Sequence, residues 1–111
     1  MKKLALGLLA ITLALPLTAE TWKNVSLMDA NCAKKEKAMA NPDAHSKSCA
    51  IKCAEAGYGA VVDGKFMKFD KKGNELALDA IKKSDKKDHF RATVDGSVKN
   101  GVIQVSSVKL D

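Results

Sequence analysis

Two dipeptides restrict this chain more than any other part of it. Asp63-Gly64 joins Ala60-Val61-Val62 to the run Lys65 to Phe69, and Asn100-Gly101 joins a run that starts at His89 to the run Val102 to Leu110. An Asx-Gly pair at the centre of a two-residue turn accepts positive φ at both positions, and that turn matches the twist of antiparallel strands. Two hairpins are therefore specified locally, and any fold must be built on them.

The remaining elements follow from periodicity. Val25 and Leu27 alternate with Asn24 and Ser26, so Thr21 to Met28 reads as a first strand, ended by Asp29-Ala30-Asn31. Ala33 to Ala40 tolerates a helix without strong patterning. Pro42 suits a first helical position, with Asn41 as its cap, so a helix is predicted from Pro42 to Ala56, stopped by Gly57. Asp70 to Asn74 is a polar turn cluster. Glu75 to Ser84 carries Leu76, Ala77, Ala80 and Ile81 as one apolar stripe of a second helix.

From His89 the period changes to two, with Phe90, Ala92, Val94 and Val98 on one face. Gly96 interrupts it as a bulge would. In the last strand the inward set shifts from Ile103 and Val105 to Val108 and Leu110, which requires a bulge near Ser106 or Ser107. The expected class is α+β: a five-stranded, OB-like antiparallel barrel, with one helix inserted between strands 1 and 2 and another between strands 3 and 4.

The N-terminus is set apart from this domain. Lys2 and Lys3, the apolar run Leu4 to Leu15, and Pro16-Leu17-Thr18-Ala19 have the layout of a secretory signal peptide over residues 1–19. The apolar run is short for a membrane span, and no cysteine follows the cleavage point, so no stable membrane anchor is expected after cleavage. The product would be periplasmic or secreted. Residues 20–111, about 92 in number, suit one small domain. Removing Lys2 and Lys3 lowers the net charge from +6 to about +4, a mild value that calls for no polyanionic partner.

Chemistry concentrates between Cys32 and Cys53, a stretch that holds all three cysteines and one of the two histidines. On the predicted helix His45, Cys49 and Cys53 stand at i, i+4 and i+8, on one face, and Cys32 could close the set from a preceding loop. Thiolates with an imidazole suit Zn²⁺ or Cu⁺. The spacing lacks a Cys-x-x-Cys pair, so it is not that of a zinc finger.

Two other accounts remain open. Cys32 could form a disulfide with Cys49 or Cys53, which export favours, leaving one thiol over. A Cys49–Cys53 bridge is disfavoured, because helical neighbours four apart have Cβ atoms about 5–6 Å apart and a disulfide needs roughly 3.5–4.5 Å. The cysteines could also be small packing residues among Ala50, Ala54 and Ala56. A Cys–His catalytic pair lacks an orienting third group and an oxyanion hole, so no enzyme activity is expected. His89 reads as an exposed residue at a strand start.

The pattern Asp29-x-x-Cys32, His45-x-x-x-Cys49-Ala50-x-x-Cys53, Gly57, then Val94-x-Gly96 and Gly101-Val102-Ile103, resembles a family of small secreted bacterial proteins of unassigned function. That resemblance implies an exported, OB-like domain and little about activity. No nucleic-acid partner is expected, since the few aromatic residues are wanted for the core and export removes the context. The leading function is a metal-binding domain using Cys32, His45, Cys49 and Cys53 for stability or metal handling. The alternative is a disulfide-stapled envelope domain that binds an oligosaccharide, peptide or protein.

Overall fold

A computed structural model describes residues 19–111. All of the signal-peptide segment except Ala19 lies outside that range. Among the described residues no helix is long and apolar enough to cross a membrane.

The chain forms β1 (Glu20–Asp29), a helical insert, β2 (Tyr58–Val62), β3 (Lys65–Lys68), a long helix, β4 (Arg91–Lys99) and β5 (Val102–Leu110). The five strands make one antiparallel sheet in the order β3-β2-β1-β4-β5. Beyond the end of β3, Phe69 meets Ile103 of β5 in a parallel bridge, so the sheet curls back on itself as a half-barrel. Both hairpins form as the sequence requires. Asp63 and Gly64 have φ of 50° and 79°, and Asn100 and Gly101 have φ of 54° and 78°.

Two bulges give the sheet its curl. Asp95 pairs with Ser107 but Gly96 pairs with Val105, which leaves Ser106 as the extra residue of β5, where the shift in hydrophobic phase had placed it. In β1, Trp22 pairs with Val94 and Val25 with Ala92, and Asn24 takes a φ of 53° between them.

The core is the inward set of the strands: Val25, Leu27, Tyr58, Ala60, Phe90, Ala92, Val94, Ile103 and Val105. The long helix, Lys71–Lys83, closes it with Ala77 and Ile81, which follow Gly73 at four-residue spacing on one face. This helix begins a turn earlier than Glu75. Asp70 caps it, its carboxylate accepting from the Gly73 N–H at 3.0 Å and from the Val105 N–H at 3.2 Å, so the polar cluster read as a turn is the helix start.

The insert departs most from expectation. It consists of three short helices and two 3₁₀ turns: α1 (Ala30–Ala33), α2 (Glu36–Ala40), a 3₁₀ turn (Pro42–Ala44), α3 (Lys47–Lys52) and a second 3₁₀ turn (Ala54–Ala56). The long helix, Lys71–Lys83, is then α4. No continuous helix spans Pro42 to Ala56. His45 is extended, with ψ of 122°, and Ser46 starts α3 afresh by accepting from the Cys49 N–H at 3.2 Å. Ser, at an N-cap, competes for backbone donors and so favours a new start over continuation.

Gly73 sets how closely α4 approaches the sheet. A Cβ there would stand 2.5 Å from Val105 Cγ2 and 2.7 Å from Phe69 Cβ. Gly→Ala inside an exposed helix ordinarily stabilises by about 1 kcal/mol. Gly73→Ala is expected to destabilise instead, by roughly 1–3 kcal/mol through overpacking, seen as a lower urea midpoint.

Candidate functional site

Asp29 is the last residue of β1 and the first cap of the insert. It lies in phase with Val25 and Leu27, so its side chain follows theirs on the inward face, and it is fully buried. Its Oδ2 accepts from the Cys32 N–H at 3.0 Å, which starts α1 and fixes the Cys32 backbone beside it. Strand pairing sets Asp29 against Tyr58, and Ala30 N–H donates to Gly57 O at 2.9 Å.

His45 arrives at the same place from the far side of the insert. Because its backbone is extended between the 3₁₀ turn and α3, the ring leaves the Cys49 and Cys53 face and turns to Asp29. The segment is held down two residues earlier. Asp43 accepts from Ser26 Oγ at 2.7 Å, from Arg91 Nε at 3.1 Å and from Arg91 Nη2 at 2.8 Å. These bonds, the Arg91 guanidinium first and the Ser26 hydroxyl second, hold the Asp43 carboxyl below the usual carboxylate range. His89 N–H donates to Asp43 O at 2.8 Å and adds a backbone tie to the sheet.

Asp29 Oδ1, Cys32 Sγ and a His45 ring nitrogen lie within 4.8 Å of one another. The His45 Nε2 and Asp29 Oδ1 atoms are 2.5 Å apart, an ion-pair distance, but they are not aligned as donor and acceptor. Neither has a hydrogen-bond partner among the described residues, and both are buried. Such an arrangement is rare for buried polar atoms, which are nearly always paired. Three donors of three types thus converge on one point with two of them unsatisfied.

Of the four residues singled out in the sequence, the fold brings Cys32 and His45 together and adds Asp29. Cys49 is exposed and Cys53 is half-buried, and neither belongs to the group. Cys53 ends α3 close enough for its charge to act on Cys32. The Cys32 thiol is pushed up by burial first and by the Asp29 carboxylate next, with Cys53 adding to this and Lys35 opposing it. All three thiols are free. His89 is exposed and bonds the adjacent Asp88 at 2.6 Å, as its position at a strand start suggested.

In the sequence Asp29 marks the end of a strand and stands in the Asp29-x-x-Cys32 pattern, with no ligand role. The signal available was its place three residues before Cys32, the spacing at which a carboxylate caps a helix. Nothing local links it to His45. The chain matches no protein-family model, and no curated protein or solved structure is significantly similar to it. The resemblance drawn from the Cys and His spacing adds nothing to the site beyond these contacts.

Tyr58 floors the site. Its hydroxyl donates to Ala50 O at 2.6 Å, satisfying a carbonyl at the C-terminal end of α3 that would otherwise be left over. Burial first, then the charges of Asp29 and Cys53, push the phenol up to about 12. A pKa raised on folding means that the native state favours the neutral phenol. This contribution is whole below the ordinary tyrosine value of about 10 and is lost as pH rises from there to about 12. Tyr58→Phe is expected to cost about 1–2 kcal/mol at neutral pH. In urea titrations from pH 9 to 12 it should also show a shallower alkaline loss of stability than the unaltered protein.

Proposed function

We propose that this protein is an exported metal-binding domain, not an enzyme, and that Asp29, Cys32 and His45 hold the ion. The observation that carries the reading is the pair of buried, unsatisfied atoms, Asp29 Oδ1 and His45 Nε2, facing each other beside the Cys32 sulfur. A fully buried carboxylate needs a cation or strong hydrogen bonds to offset its desolvation. A metal ion would satisfy both atoms at once.

The donor set also bears on which metal. Carboxylate, thiolate and imidazole together suit Zn²⁺, which accepts all three, better than Cu⁺, which favours sulfur. Cys53 is the nearest further thiol and the natural candidate for a fourth position; Cys49 is not needed in the resting site. The signal-like segment Lys2 to Ala19 supports export, where a metal staple suits a domain of this size.

The test is direct titration with Zn²⁺, and with Co²⁺ as a spectroscopic substitute. One ion per chain is expected, with a Co²⁺ spectrum showing thiolate charge transfer. Cys32→Ser and His45→Ala should each weaken binding at least tenfold, on the order seen when metal-site residues are lost. At free Zn²⁺ one hundredfold above Kd, the domain should gain about 2.7 kcal/mol of stability, reversed by a chelator. A folded protein that takes up neither ion would overturn the reading.

A further inference from the structure

His45 has a second aspect that the metal site does not use. Although its side chain is only 6% exposed, the residue lines a cavity of about 370 Å³ together with Lys37, Ala38, Asn41, Ala44, Ser46 and Cys49. The cavity therefore connects the surface to a residue of the buried group. The exposed thiol of Cys49 shares that lining. Its backbone is not free to wander, since the Ser46 hydroxyl accepts from the Cys49 N–H in the first turn of α3.

A buried site needs a path for its ion, and here Asp29 is sealed from solvent while Cys32 is half-buried. Among the residues around the cavity, Cys49 offers the one soft donor in contact with bulk water. His45, nine-tenths buried, lies along the same wall with its Nε2 turned inward to Asp29. Sulfur outside and a ring nitrogen within make a two-step ladder of ligands.

We propose that Cys49 is the loading ligand of this site: a divalent zinc-like ion binds first at the Cys49 thiolate and then passes to His45, Cys32 and Asp29 by ligand exchange. This rests on the metal reading given above. In the first step the Cys49 thiol releases its proton to water and a metal–sulfur bond forms. In the second, bonds to the His45 nitrogen, the Cys32 sulfur and the Asp29 oxygen form as the bond to Cys49 breaks. The Cys32 thiol releases a proton and Cys49 regains one. No electrons move, and one proton is released overall.

The same ladder run backwards releases the ion. Cys49 is thus expected to govern rates in both directions without contributing to equilibrium affinity. That signature separates a loading ligand from a resident one.

Stopped-flow transfer of Zn²⁺ from a chromophoric chelator to the protein, and back to a stronger chelator, tests the idea with Cys49→Ser. The substitution lies on an exposed side chain and leaves the cap of α3 intact. Transfer slowed at least tenfold in both directions, with one ion per chain and an unchanged Kd, is the expected result. Transfer at the unaltered rate would overturn the proposal. So would a loss of affinity parallel to the loss of rate, which would make Cys49 a resident ligand. Absence of Zn²⁺ uptake by the unaltered protein is a different outcome, because it removes the metal site itself; a Cys49→Ser protein that binds normally and loads normally removes only the loading role.

Discussion

The buried carboxylate of Asp29 is the interaction on which this structure turns. One oxygen caps α1 and so decides where the chain leaves the sheet. The other oxygen faces His45, sixteen positions later in the sequence, and so decides where the chain must come back. Between those two contacts lies the first half of the insert that separates β1 from β2, with α3 and the second 3₁₀ turn following His45. A group with no access to water is costly to leave half-paired, since the low dielectric that strengthens its good contacts also magnifies a missing one. The helical insert is therefore organised by a polar demand at its root and not by a large apolar face of its own.

Position then depends on a second tie. Asp43, gripped by Ser26 and Arg91, attaches the insert to β1 and β4 two residues before His45. Ser26 and Met28 are buried on the face of β1 opposite Val25 and Leu27, and Asp43 bonds Ser26 there, while Ala50 of α3 joins the core on the inward side. The Arg91 pair is partly open to solvent, so its value is directional more than energetic: a planar fork of donors allows one approach of the carboxylate. The ring of His45 inherits its place from that approach.

Much of the scaffold could be read from the chain because its determinants are local. Asp63-Gly64 and Asn100-Gly101 specify their turns within two residues, and the slip in phase between Val105 and Val108 gives away the bulge at Ser106. The helix α4 was legible from Leu76 to Ile81, although its first turn was hidden by Gly73, whose presence answers to Val105 and Phe69 across the core. The site was half legible. Cys32 and His45 drew attention by residue type, but their geometry was drawn on a continuous helix that Ser46 interrupts. Asp29 could not have been chosen from spacing alone, because its partner at His45 is set by the path of the whole insert. Local signals fix turns and caps; which cap becomes a site is settled by how the chain returns.

The bulge at Ser106 has a consequence for the company the protein keeps. Phe69 and Ile103 join the two ends of the sheet, so part of β5 has neighbours on both sides. The stretch from Ser107 to Leu110 lies past that closure and pairs only with β4, leaving a row of backbone donors and acceptors of the kind that recruits strands from other chains. The extra residue at Ser106 twists this row away from the straight edge a further strand would need, and Lys109 within it adds a charge that an incoming strand would have to bury. A small domain crowded among its own copies is thereby kept from growing its sheet outward, by the same irregularity that lets the sheet curl.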